Sequence, residues 1–206
     1  MTLDATADAL PESAPHQPDN TARNRLVIAL LLVSTFVVFL NETIMSVAIP
    51  HLMTDLGVTA SAAQWLTTAF LLTMAVVIPI TGLLLQRIQT RPIAMSVFTL
   101  GTLVCALSPG LEMLIAGRVV QAVGTAMMMP LLMTTVMTLV PPETRGKTMG
   151  NISIVMAVAP AIGPTIGGFI LAHFDWRFMF YFTLPIAIGA LVLGALRIRN
   201  VSNPRY

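Results

Sequence analysis

The chain is a succession of long apolar runs separated by short polar breaks. Six runs approach the roughly 20 mostly apolar residues that a membrane-spanning helix needs, at about 26–49, 63–85, 93–109, 112–140, 148–172 and 177–196. The breaks are "PHLMTDLGVTASA", "QRIQTRP", a tight turn at Pro109-Gly110, "PPETRGK" and "HFDW". Apolar residues are continuous within the runs and do not alternate with period two, so helices are predicted rather than barrel strands. The pattern predicts an all-α integral membrane protein, a six-transmembrane-helix bundle over residues 23–199, with a tail at 1–22 and a short end at 200–206.

Composition agrees. Of 206 residues, 56% are hydrophobic and 10% charged, against roughly a quarter charged in soluble domains. The lipid bilayer is therefore the expected surrounding. The first twenty residues, "MTLDATADALPESAPHQPDN", contain four acids, three prolines and no Lys or Arg. A signal peptide would begin basic and turn apolar, so this stretch reads as a disordered tail. With one cysteine, Cys105, no intrachain disulfide can form. His16, His51 and His173 do not join a Cys or Asp/Glu cluster at metal-ligand spacing. No metal, no cofactor and no nucleic-acid partner are expected.

The basic residues orient the chain. Of 11 Lys and Arg, Arg118 lies inside the fourth run and Arg177 stands at the loop end of the sixth. The other nine are Arg23, Arg25, Arg87, Arg91, Arg145, Lys147, Arg197, Arg199 and Arg205, all on one side of a six-span topology. Basic loops stay cytoplasmic, so both termini are expected inside a multi-pass plasma-membrane protein. The cluster "WRFMFYF" then falls at the outer interface, where amphipathic rings are favoured.

Two runs contain residues that lipid does not tolerate. Asn41 and Glu42 interrupt "FVVFLNETIMSVAIP". Glu42 is about 16 residues from the inner face, or roughly 24 Å; Arg118 is about 6–7 residues from the outer face, or roughly 10 Å. In an apolar core of about 30 Å the two sit at similar depth. Gln121 shares a helix face with Arg118. Asn41, Glu42, Arg118 and Gln121 are thus a candidate polar cluster. It reads either as a static ion pair locking two helices or as an ionisable site in a transport cavity. In the fifth run, "AVAPAIGPTIGGFI", Gly163 and Gly167 form a small-xxx-small face, and Pro160 and Pro164 should bend the helix. This segment is either a tight packing seam or a moving element. Met127, Met128, Met129, Met133 and Met137 load the fourth run, as filler or as an adaptable ligand surface.

Four segments in order resemble the major facilitator superfamily, specifically its fourteen-span drug:proton antiporters and their lincomycin-resistance-like multidrug exporters. "LNETIMSVAIP" is similar to the first-span signature L-D-x-T-x-x-N-V-A-L-P. "GLLLQRIQTRP" resembles the loop motif G-x-L-x-D-R-x-G-R-[KR], and "LIAGRVVQAVGTA" resembles L-x-x-x-R-x-x-Q-G-x-G. "APAIGPTIGGFI" resembles the fifth-span antiporter motif G-x-x-x-G-P-x-x-G-G. The resemblance covers about residues 26–200 and implies the N-terminal six-span half of such a transporter. It implies proton-coupled efflux of lipophilic small-molecule drugs, with protons as the coupling ion. Arg118 takes the family arginine's role in proton transfer. Gly163, Pro164, Gly167 and Gly168 take the helix-packing role. Gly82, Arg87 and Arg91 take the role of the conformation-stabilising loop. Three departures stand out. Asn41 replaces the first-span aspartate, with Glu42 beside it; Gln86 and Gln89 replace the loop aspartate and glycine; Ala122 replaces a glycine.

Other classes compete with an exporter. One is a non-transporting membrane fragment, or a regulatory or binding subunit that needs a second half. An intramembrane protease is disfavoured, because no G-x-S-x-G serine is present. Facilitator transporters work between two six-span halves. The expectation is a truncated or split half-length form that needs a second half; the alternative is a homodimer around a pseudo-twofold axis.

The predicted orientation is tested by single cysteines at Thr59 and Gln89 in a Cys105→Ala background. An impermeant thiol reagent on intact cells is expected to label the first and spare the second; the reverse pattern overturns the orientation.

Overall fold

A computed structural model describes residues 21–84 and 90–198. These residues form six α-helices: α1 (Thr21–Leu56), α2 (Ala60–Leu84), α3 (Thr90–Ala106), α4 (Leu111–Leu139), α5 (Pro142–His173) and α6 (Arg177–Ile198). Among the described residues there is no strand. Four helices are long and apolar enough to cross a membrane, over Thr21–Leu56, Ala60–Leu83, Leu111–Leu139 and Pro142–His173. α3 and α6 carry shorter apolar stretches, Pro92–Ala106 and Arg177–Leu193. The 17 residues of α3 rise only about 26 Å, slightly less than the apolar thickness of a bilayer.

The helices outrun their apolar runs. α1 continues through Pro50 to Leu56, so most of the loop expected after residue 49 is helical. Proline removes one helix hydrogen bond, but Leu52, fully buried two residues beyond Pro50, holds the last turns against the core. α1 then stops by backbone chemistry. Gly57 adopts φ +63°, and the Val58 amide donates to the Met53 carbonyl at 3.1 Å, closing a Schellman-type turn. Thr59 starts α2 as its N-cap, its hydroxyl accepting from the Ala62 amide at 3.2 Å. α5 likewise runs through both Pro160 and Pro164 without a break.

α4 is the centre of the bundle. It packs most extensively against α3 and α2, and α1 crosses it while also packing on α5 and α6. Glycines permit the closest approach. A Cβ on Gly124 would lie 2.6 Å from the Phe98 amide nitrogen, and one on Gly117 would lie 2.6 Å from Cys105 Sγ. From the other side, a Cβ on Gly101 would sit 2.8 Å from Gln121 Cα. The backbones of α3 and α4 therefore meet without intervening side chains, as small residues allow in membranes.

The apolar core falls into three clusters along the helix axes. One, nearest the α1–α2 turn, gathers Leu40, Ile44, Leu66, Leu114, Trp176 and Phe180. The middle one joins Val38, Phe98, Met127 and Met128, and the third joins Leu31, Leu132, Val136 and Ile152. Met127 and Met128 are core residues, Met129 and Met133 are half-buried, and Met137 faces outward. The aromatic cluster at the start of α6 divides. Phe178, Tyr181 and Phe182 face outward, whereas Trp176 and Phe180 are buried and meet edge to face. Arg177 stacks on the Trp176 ring and donates to the Ser108 carbonyl at 3.0 Å, tying the α3–α4 turn to α6.

Gly124→Val is expected to cost about 1–3 kcal/mol or more through overpacking. Gly168 has open space at its Cβ position, so Gly168→Ala is expected to gain up to about 1 kcal/mol from helix propensity. Thermal unfolding of the two purified variants in detergent checks the contrast; equal effects would show that α3 and α4 are not in backbone contact.

Candidate functional site

Hydroxyls in a membrane helix need partners, and most here find one four residues back. Thr35, Thr43, Thr73, Thr81, Thr102, Thr125 and Thr183 each donate to the carbonyl at i−4, at 2.7–3.0 Å. Amides and charges are too large for that solution. They must find side-chain partners, most of them on other helices.

They do so at one level of the bundle, where the first apolar cluster gives way to the second. Arg118 is fully buried. Its Nη2 donates to Glu42 Oε2 at 2.5 Å, and its Nη1 donates to Gln121 Oε1 at 2.9 Å. The guanidinium carbon lies 4.0 Å from the centroid of the Phe70 ring on α2, a cation–π contact in a dry setting. Its Nε has no hydrogen-bond partner. Gln121 Nε2 donates to Thr102 Oγ1 on α3 at 2.9 Å and to Asn41 Oδ1 on α1 at 3.3 Å. Asn41 Nδ2 donates to Thr183 Oγ1 on α6 at 3.1 Å. α1, α2, α3, α4 and α6 thus converge on one arginine. α5 joins next door: a Cβ on Gly163 would lie 2.6 Å from Thr43 Cγ2, and one on Gly167 would lie 3.3 Å from Ile44 Cγ2.

The two ends of the ion pair differ in exposure. The Arg118 side chain has 0% relative exposure and that of Glu42 has 30%. The cation is sealed and the acid keeps an open side. Adjacent positions on α1 also have different surroundings. Asn41 is buried and bonded to neutral partners, whereas Glu42, about 100° around the helix, meets the charge.

All four polar candidates, Asn41, Glu42, Arg118 and Gln121, are therefore in one network. Thr102, Thr183 and Phe70 belong to it too and were not singled out by the sequence. Thr102 follows Gly101, whose lack of a side chain admits Gln121; that adjacency was the available signal. The other candidates lie elsewhere. Gly163 and Gly167 are buried against α1, while Pro164 and Gly168 face away from the bundle. Gly82 is exposed near the end of α2 with open space at its Cβ position. Arg91 lies in the first turn of α3; Gln86, Arg87 and Gln89 lie outside the described residues. Ala122 is fully buried. Among the described residues no group of three His, Cys, Asp or Glu side chains is placed to hold a metal ion.

The sequence profile of the Major Facilitator Superfamily matches residues 31–205. The chain belongs to this superfamily. Curated relatives within reach of the facilitator chain include an uncharacterized MFS-type transporter, YcnB of Bacillus subtilis, 43% identical over 87% of this chain and 39% of that protein. The lincomycin resistance protein LmrB of B. subtilis is 40% identical, over 85% of this chain and 37% of its own length. The multidrug resistance protein B homolog of Mycobacterium tuberculosis is 32% identical over 94% of this chain and 37% of that protein. The facilitator chain thus spans well under half the length of the curated relatives it matches. Its fold is similar to the crystal structure of a bacterial homolog of the human lysosomal transporter Spinster, in an inward-facing and occupied conformation. The TM-score is 0.70 at 16% identity, over 88% of this chain and 45% of that one. Family and helices together make this facilitator a multi-pass membrane protein.

The network predicts unequal costs for removing each half of the ion pair. Arg118→Ala strands Glu42, frees the Gln121 acceptor and empties the space under Phe70, and is expected to cost about 3–5 kcal/mol. Glu42→Gln keeps an acceptor oxygen for the guanidinium at the open edge and is expected to cost less than half as much. Thermal unfolding in detergent gives the order; a larger loss from Glu42→Gln would contradict the network.

Proposed function

We propose that this chain forms the arginine-bearing half of a proton-coupled exporter of lipophilic small molecules. The observation that carries the reading is the pairing of a sealed cation, Arg118, with a half-open acid, Glu42, in the apolar interior. Structural ion pairs have no need of an open side. A coupling acid needs one, because protons must reach it and leave. Relatives named for lincomycin and multidrug resistance support a drug-like substrate class.

In this scheme a proton from outside neutralises Glu42. Arg118 then loses its charged partner and keeps the Gln121 carbonyl oxygen. Substrate and proton favour different states of the bundle, so entry of one drives release of the other. Glu42 serves as the coupling acid in this scheme, and the amide of Asn41 as a bridge. Gly163 and Gly167 let α1 and α5 shift as a close-packed pair. A second six-helix unit, supplied in the same polypeptide or by another molecule, forms the opposite wall of the path. Both ends of the chain face the cytoplasm, following the distribution of basic residues.

The reading is tested by energised dye efflux in a drug-hypersensitive host carrying the intact protein. Arg118→Ala is expected to abolish uncoupler-sensitive efflux while the protein still reaches the membrane. Glu42→Gln is expected to remove the dependence of efflux on external pH. Wild-type pH dependence in Glu42→Gln would return Glu42 to a purely structural role.

A further inference from the structure

Arg118 can only donate hydrogen bonds. That single fact fixes the direction of every other bond in the network. Gln121 must turn its carbonyl oxygen, Oε1, toward Arg118 Nη1. Its amide nitrogen is then directed at Asn41 Oδ1 and Thr102 Oγ1. Asn41, having accepted, must present Nδ2 to Thr183 Oγ1. Both threonines accept a hydrogen bond from an amide N–H and so must donate their own hydroxyl hydrogen elsewhere. Thr102 donates to the Phe98 carbonyl at 2.9 Å and Thr183 to the Met179 carbonyl at 3.0 Å. Reversing either amide would set its NH2 against the guanidinium or against another NH2, a donor facing a donor in a buried site. The chain of bonds therefore has one polarity, running outward from Arg118 to the backbones of α3 and α6.

We propose that Thr102 and Thr183 are positioning residues that pin the Gln121 amide with its oxygen on Arg118, and so set how readily Glu42 is neutralised during transport. The inference rests on the transport reading given above and extends it to two helices outside the ion pair. When Glu42 is charged, Arg118 has two acceptors. When Glu42 takes a proton, Gln121 Oε1 is the acceptor that Arg118 keeps in full, and its orientation decides how well the buried guanidinium is still held. Thr102 holds the Gln121 NH2 directly, and Thr183 holds it through the orientation of Asn41. Without the first the NH2 loses an acceptor, without the second the Asn41 amide is free to turn, and in either case the Gln121 oxygen is less firmly held on Arg118 and the neutral state of Glu42 is less well tolerated.

The elements packed around the Arg118–Gln121 network support assigning the effect to this amide. α4 brings Arg118, α2 brings Phe70, α3 brings Thr102, and α6 brings Thr183 through Asn41. α5 brings Gly163 and Gly167 to the neighbouring Thr43 and Ile44. Cys105 on α3 is the other titratable side chain nearby, and its thiol is directed at the Leu114 carbonyl at 3.7 Å. Among the described residues, Arg118 is the charged group that reaches Glu42.

Two measurements on the intact protein test the proposal. The first is a double-mutant cycle in thermal unfolding, pairing Thr183→Val with Gln121→Ala. These residues do not touch; Asn41 lies between them. If Thr183 acts through the Gln121 amide, its loss lowers the melting temperature by less than about half as much once Gln121 is gone. Additive losses overturn the pinning. This result is independent of transport, so it stands even if wild-type protein moves no dye and the transport reading fails. The second is the pH profile of energised dye efflux. Thr102→Val and Thr183→Val are expected to displace its midpoint from the wild-type value by about half a unit or more. Thr102→Ser and Thr183→Ser, which keep the hydroxyl, are expected to hold the wild-type midpoint. Valine variants with lower efflux but an unmoved midpoint would make the threonines ordinary packing residues and overturn the proposal. Thr102→Ala and Thr183→Ala carry the same expectations if a valine variant is not recovered.

Discussion

A guanidinium shielded from water must be given acceptors by the protein, and this requirement organises the bundle. Arg118 has no exposed surface, and a lone charge at membrane depth is costly. The carboxylate of α1 and the amide of α4 supply the acceptors, and the ring of α2 covers the face. The amide must be held in turn, which brings in α3 and α6. Each added partner moves the problem of an unsatisfied polar atom outward, until a backbone carbonyl or an open edge ends it. Helices with apolar faces have no strong preference among neighbours in lipid. The polar chain supplies the preference and fixes which helices meet.

Packing makes that chain possible. Gln121 reaches Thr102 only because Gly101 lets the backbone of α3 come against α4 at that level. Gly117 and Gly124 extend the approach along the same pair of helices. The i−4 hydrogen bonds of the threonines have a related effect: their protons are directed to their own helices, leaving oxygen lone pairs for the amides. α5 is attached differently, through glycines against Thr43 and Ile44 with no side-chain hydrogen bond to the polar chain among the described contacts. It is the helix whose position the arginine does not dictate.

Much of this was legible in the chain. Continuous apolar runs mark six helices, and depth arithmetic alone brings Glu42 and Arg118 to one level. The helix ends were less legible, because hydropathy marks where lipid begins and not where hydrogen bonding stops; α1 passes Pro50 on the strength of one buried leucine, Leu52. The aromatic run entering α6 reads as one cluster in the sequence, yet it divides in the fold: Trp176 and Phe180 are buried against other helices, while Phe178, Tyr181 and Phe182 face outward. Thr102 and Thr183 were invisible because a threonine in a membrane helix is ordinarily satisfied by its own backbone. Only the crossing of helices reveals that each also accepts a second bond. Phe70 is one apolar residue among many until the arginine is found over its ring.

The sequence separations within the network bear on how the protein is made. Glu42 is 76 residues ahead of Arg118, and Asn41 is 142 residues ahead of Thr183. At roughly 5–20 residues per second of synthesis, the acid waits about 4–15 s for its cation and the amide about 7–28 s for its hydroxyl. During that interval α1 has emerged with a carboxylate and an amide that no other helix yet satisfies. It must remain near the polar edge of the bilayer, stay protonated, or shelter in the insertion machinery until α4 arrives. Membrane entry of the first helix is thereby tied to the translation of the fourth, and codon or loop changes between residues 57 and 110 would alter how long that helix stands alone.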